Sequence, residues 1–249
     1  MLWIRFLLLS VFLSYAPLAL AKPQQKISDG EHKTYFKDGS VQSDSMYKNG
    51  QNNGKMLQYH PNGKLFAESF FVNGKREGLT KLYYPNGQLM EESEYKDGLY
   101  NGSYKRYYDT GQLKAQRHMK NNRLDGAFKE YYPNGQLGLE GKATDGRYDG
   151  AIRRYDKTGK LVFKAKYKDG HVDGPMETYY PGGQLAQSCT VTETKANEAR
   201  RDCTRYKKDG KGKINYFQIF TKKDKNSSLV KTFVGKKLVS QKVIPNRAL

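Results

Sequence analysis

Gly30, Gly54, Gly78, Gly102, Gly126, Gly150 and Gly174 follow one another at intervals of 24 residues, and nothing else in the chain restricts its fold as much. A second column with the same period runs Gly39, Gly63, Gly87, Gly111, Gly135, Gly159 and Gly183, mostly in Pro-Asn-Gly, Asp-Gly or Thr-Gly settings. A third is Gly50, Gly74, Gly98, Asn122, Gly146 and Gly170; its one exception is Asn, the residue that best accepts positive φ after Gly. Three phased columns mark a repeat architecture. Each unit is then one supersecondary element that cannot bury its apolar face alone and must stack on its neighbours.

The side chains between the glycines are phased too. Tyr35, Tyr59, Tyr83, Tyr107, Tyr131, Tyr155 and Tyr179 form an unbroken column. Six positions on come Val41, Leu65, Leu89, Leu113, Leu137, Leu161 and Leu185, then a partly aromatic column at Tyr47, Phe71, Tyr95, Met119, Ala143 and Tyr167. Each unit thus holds two segments of about six residues, rich in aromatics and bounded by Asn-Gly or Asp-Gly turns, which is a β-hairpin signature. The spacing predicts an all-β fold: an elongated single-layer antiparallel β-meander of stacked hairpin repeats. Seven units would span roughly 65 to 70 Å. Only 37% hydrophobic residues and a mean hydropathy of -0.88 suit a thin ribbon better than a deep core. Two Cys permit one bridge, too few for a disulfide miniprotein, and 25 Gly in 249 residues exclude collagen.

Tyr-Tyr-Pro-Asn-Gly-Gln-Leu occurs at 83–89 and again at 131–137, with near copies at 107–113 and 179–185. With Gly78-Leu-Thr-Lys-Leu ahead of the first copy, this unit resembles the MORN-repeat family in its bacterial variant, over about residues 30–185. The resemblance implies a role like that of the YwqK-type antitoxin or immunity proteins. Eukaryotic MORN proteins suggest membrane association and scaffolding instead.

The start reads differently. Met1 to Arg5 is a charged start, Phe6 to Leu18 a mostly apolar run, and Ala19-Leu20-Ala21 a small-x-small site, together the pattern of a secretory signal over residues 1–21. The alternative, a membrane anchor, meets a stretch that holds Pro17 and falls short of the roughly 20 residues a span needs. The mature chain would begin at Lys22 and reside in the periplasm or outside the cell, with the repeat array over 22–185.

After Leu185 the period breaks. The next Asp-Gly is Asp209-Gly210, so residues 186–211 read as an insertion carrying both cysteines. Cys189 and Cys203 would close a loop around the polar stretch Thr192 to Arg201, the alternative being two unpaired structural thiols. Beyond it, Ile214 to Phe220, Leu229 to Val234 and Leu238 to Ile244 read as strands of a lysine-rich β cap over 212–249, which would shield the end of the array from edge-to-edge association.

Charge is uneven. Residues 22–185 carry 27 basic and 20 acidic side chains, a net +7, whereas 186–249 carry 16 and 5, a net +11. That end fits either an anionic partner or a solubilising cap. Export argues against nucleic acid and leaves an acidic protein face, anionic lipid or an envelope polymer. Two residues before the column tyrosines stand Lys81, Lys105, Lys129 and Arg153, on the strand face shared with Tyr83, Tyr107, Tyr131 and Tyr155. This cation and tyrosine ladder is the candidate recognition surface; alternatively the stacked tyrosines hold the layer together under lysine stems.

No catalytic or metal-binding pattern stands out. His32, His60, His118 and His171 fall at different phases of the repeat, there is no nucleophile elbow, phosphate loop or dinucleotide fingerprint, and Glu68, Glu92 and Glu140 recur as a surface column. The expectation is an exported, non-catalytic binding protein without cofactor, metal or small-molecule substrate. It would neutralise a toxin or effector in the cell envelope by protein-protein contact, or else act as an envelope scaffold holding anionic lipid or surface polymer.

Overall fold

The structure is a computed structural model that describes residues 27–195, 198–222 and 227–245; the proposed export signal, residues 1–21, lies outside them. Between Gly30 and Pro245 the chain forms one antiparallel sheet of twenty strands, β1 (Gly30–Tyr35) to β20 (Lys237–Pro245), paired in the order of the sequence. Among the described residues every element is a strand, so the all-β meander expected from the repeat is what the chain forms.

Two kinds of turn alternate. At one end of each hairpin a residue pair with both φ values positive closes the loop, such as Asn49 (52°) with Gly50 (75°) or Asp97 (52°) with Gly98 (81°). That is the type I′ geometry, whose twist matches the strands it joins. At the other end the Pro-Asn-Gly loop is held by Tyr84 N–H to Gln88 O and Gly87 N–H to Tyr84 O, both 2.8 Å. The Asn86 carboxamide oxygen accepts from Gln88 N–H at 2.9 Å, an Asx turn.

The strands are longer than the six residues read from the sequence. The first glycine column does not end its strand; it sits inside as a bulge, as in β8 (Leu99–Tyr107), where the register with β7 (Leu89–Lys96) jumps beside Gly102. Gly102 has φ 124°, and a Cβ there would run into the Glu94 carboxylate. In two units the bulge splits the strand: β5 (Lys75–Arg76) from β6 (Gly78–Tyr83), and β12 (Arg147–Tyr148) from β13 (Gly150–Tyr155).

Residues 186–211, read from the sequence as an insertion with a disulfide-closed loop, stay within the sheet. They continue the sheet as β16 (Leu185–Lys195) and β17 (Glu198–Tyr206), a hairpin longer than the others. The added residues fall in β16, which has 11 residues where β7 has 8, while β17 keeps the 9 of β8, and a register shift between Glu193 and Lys195 absorbs the difference. Cys189 and Cys203 lie directly opposite each other and are joined as a disulfide, with Cα atoms 4.1 Å apart. β18 (Lys213–Lys222), β19 (Ser227–Val234) and β20 complete the cap.

One set of contacts ties each unit to the next. The second tyrosine of each Tyr-Tyr pair donates its hydroxyl to a main-chain carbonyl a unit ahead: Tyr84 to Tyr107 O, Tyr108 to Tyr131 O, Tyr132 to Tyr155 O and Tyr180 to Tyr206 O, at 2.8 to 2.9 Å. The Asn86 and Asn134 carboxamides donate to Asp109 O and Lys157 O in the same way. At position 156 of this column stands Asp156, which instead accepts from Thr158 and Lys160 in its own turn. Replacing Tyr132 by Phe removes one such bond and orphans the Tyr155 carbonyl. The expected loss is about 1 kcal/mol in urea unfolding, with an unchanged slope.

Candidate binding surface

Because strand side chains alternate, the cross-strand register divides them between two faces. On the outer face one row crosses most of the sheet, each residue opposite the next: Lys81, Glu92, Lys105, Gln116, Lys129, Glu140, Arg153, Lys164 and Glu177. Lys33, Asp44, Leu57 and Glu68 lead into it. The sequence-predicted cations Lys81, Lys105, Lys129 and Arg153 are all in this row, and the tyrosines stand beside it. Tyr107 donates to Glu92 at 3.2 Å and Tyr155 to Glu140 at 2.8 Å, while Lys81 approaches Glu92 at 4.0 Å and Arg153 approaches Glu140 at 3.5 Å. Tyr83 and Tyr131 are half-buried, and their carbonyls accept from the His60 ring and the Tyr108 hydroxyl.

A carboxylate thus stands beside each of the four predicted cations, while Gln116 separates Lys105 from Lys129 and Lys164 faces Arg153, so the ladder is not a bare positive stripe. Exposed pairs of this kind are individually worth 0 to about 1 kcal/mol. The interleaving was visible in the sequence only as a separate acidic column at the same period. Placing it between the basic positions needs the hairpin register, which the turns decide.

The inner face carries the packing. Every buried residue among those described lies on it, including Ala67, Ser93, Ala115, Phe128, Ala143, Ile152, Ala165, Cys189, Cys203 and Val230. One-sided burial in a single layer requires side chains on that face to lean on one another across neighbouring strands. Phe128, Ala143 and Ile152 form the buried centre, with Leu124, Leu139 and Tyr167 packed around it. Tyr148 stacks on Phe128 with ring centroids 5.5 Å apart.

One unit away, the same face holds a buried carboxylate. Glu91 is 7% exposed and accepts hydrogen bonds from Tyr104 at 2.9 Å, Ser93 at 3.2 Å and Tyr100 at 3.3 Å. The Arg76 guanidinium lies over the Phe71 and Tyr95 rings at 5.8 and 5.4 Å, and Tyr95 packs on Tyr100 with centroids 4.5 Å apart. Sequence reasoning missed this cluster, because corresponding positions in other units are Ser43, Ala67, Ala115, Leu139 and Phe163; that one carboxylate broke the column was the available signal.

Burial first, then the hydrogen bond to Glu91, pushes the Tyr104 hydroxyl up to about 12, and burial also raises Tyr100. A folded value above the unfolded one, near 10, favours the native state fully below pH 10. That contribution is lost as the pH rises through 10 to 12. Alkaline titration followed by tyrosinate absorbance at 295 nm is expected to show a late-ionising class that ionises together with loss of β signal; in Glu91→Gln, Tyr104 should shift to lower pH.

Among the described residues no group of three or more His, Cys, Asp or Glu is placed to hold a metal ion. The profile of the MORN repeat variant matches residues 28–49, 52–73, 76–97, 100–121, 124–137, 148–169 and 172–192. These matches follow the hairpin units of the sheet. No curated protein matches the chain.

Proposed function

Since this chain belongs to the MORN repeat variant family, with matched units over more than half of its length, we propose that it is an exported, non-catalytic binding protein that neutralises a toxin or effector in the cell envelope, in the manner of an immunity protein. The observation that carries this reading is the inner face, where Tyr100, Tyr104, Arg117, Arg154 and Tyr167 keep part of their surface open to solvent beside the buried centre. These are residue types that anchor protein interfaces while remaining compatible with water before the partner arrives. The Cys189–Cys203 bond supports an oxidising compartment and so accords with the export signal read at residues 1–21.

A second reading, an envelope scaffold that holds anionic lipid or polymer, is favoured by one observation, the net +11 of residues 186–249. Affinity capture from native envelope extracts with the protein from Lys22 to Leu249, at low and high salt, separates the two. A stoichiometric protein that stays bound at high salt, and whose toxicity on expression alone is relieved by co-expression of this chain, supports the immunity role. Recovery of lipid or polymer only, lost as salt screens the contacts, overturns it in favour of the scaffold.

A further inference from the structure

Resting on the reading of a protein partner, we propose that the C-terminal end of the inner face receives the carboxylates of an extended acidic segment of that partner, with Arg201 as the half-buried anchor and Arg205 and Arg154 as further contacts.

Arg200 and Arg201 are neighbours in the chain and point to opposite faces. Arg200, outside, is neutralised by Asp202 at 2.7 Å. Arg201, inside, is partly buried and lies 4.7 Å over the Phe220 ring, with no carboxylate partner among the described residues. Its Nε is shut off from water and has no acceptor, a condition rare for a buried donor. Burial drives its charge balance in the same direction, lowering the guanidinium below its ordinary range. A cation left in this state is destabilising unless something supplies the missing negative charge.

The two further arginines repeat the arrangement with more exposure. Arg205 lies over the Tyr216 ring at 5.4 Å and Arg154 over Phe163 at 5.8 Å, and neither forms an ion pair among the described residues. Each guanidinium is held by a ring with its forked donors unused, which suits planar, bidentate capture of a carboxylate. Arg201 and Arg205 are four residues apart on one strand, about 13 Å, and share a face. Four cross-strand steps, Arg154 to Phe163, Thr178, Gln187 and Arg205, place the first and last about 19 Å apart. Such separations exceed any single phosphate or small dianion and match carboxylates distributed along an extended chain. A flat bilayer would meet the exposed side chains before reaching a half-buried one.

The test is fluorescence anisotropy with a labelled twelve-residue peptide of alternating Glu and Thr. A single-stranded oligodeoxynucleotide and phosphatidylglycerol vesicles serve as the phosphate arms. Arg201→Met keeps the contact with Phe220 and is expected to weaken peptide binding about tenfold or more while raising Tm by about 2 to 4 °C, because an unpaired charge has been removed. Lys208→Met, the same change of net charge on an exposed turn, is expected to change affinity less than about twofold. Arg201→Lys, retaining charge without the planar fork, should fall between. The proposal is overturned if Arg201→Met and Lys208→Met weaken the peptide equally, if Arg201→Met lowers Tm and leaves binding intact, or if oligonucleotide or vesicles bind in preference to the peptide. A captured toxin retained equally well by Arg201→Met would sink this site alone, whereas absence of any protein partner in the capture would sink the immunity reading and leave the peptide result standing.

Discussion

Truncating Phe128 to Ala is expected to lower stability by about 3 to 4 kcal/mol, the largest single effect in the repeat array. At 3% exposure, Phe128 is the largest side chain of the buried centre, between Ala143 and Ile152, and Tyr148 stacks on it. A single-layer sheet has no second layer from which atoms can move in to refill the space. Gly141 sits opposite Phe128, where a Cβ would already crowd the rings of Phe128 and the tip of Ile152, so the cluster was built around this one ring. Since units contact only their neighbours, the loss should be regional. Urea unfolding should become biphasic, and hydrogen exchange should accelerate in Arg123–Tyr131 and Leu137–Thr144 before the distal units. A single transition shifted by under about 1 kcal/mol would show that the cluster is not what couples the two halves.

Removing the disulfide ranks next. Cys189→Ser with Cys203→Ser opens a loop of about 15 residues, worth about 3 kcal/mol in the chain-entropy description, and leaves hydroxyls in place of sulfurs that are 2% and 4% exposed. The effect should be confined to β16, β17 and the cap, read as faster exchange there and earlier proteolysis near residues 192–201, with the units before Tyr155 unchanged. Position 156 favours this separation: Asp156 supplies no hydroxyl to the unit ahead, so the C-terminal end is coupled to the array through one bond fewer. Uniform loss of protection along the whole sheet would contradict it. Adding Asp156→Tyr to the disulfide-free background should recover part of the loss.

Much of this fold can be read without coordinates because each strand pairs with the next one in sequence and the turns declare themselves. Asn-Gly and Asp-Gly pairs demanded positive φ, and the I′ loops duly set the register. Less was legible wherever meaning depends on what lies across the strand. The first glycine column shows in sequence only as a period, yet Gly102 belongs to a bulge whose need for glycine comes from Glu94 on the neighbouring strand. Lys81 and Arg153 look like a bare ladder until Glu92 and Glu140 are set between them. Glu91 and Glu92 are adjacent acids in the chain, but one is buried under tyrosines and the other lies half-exposed among lysines. Periodicity assigns a residue to a face; only register tells it who its neighbours are. The insertion over residues 186–211 is a related case, since residues added to one arm of a hairpin look in sequence like an interruption and in space like a longer strand with one register shift.

Strict next-neighbour pairing has a further consequence for how such a chain comes into being. No strand waits for a distant partner, so loop closure never exceeds one hairpin, and a segment can zip onto the growing edge as soon as it is released from a ribosome or an export channel. Each new strand adds at the edge left by the strand before it in the sequence. Twenty-four more residues therefore add about 9.6 Å of sheet without rearranging anything already formed, which makes the span of the surface a quantity that gene duplication can adjust one unit at a time.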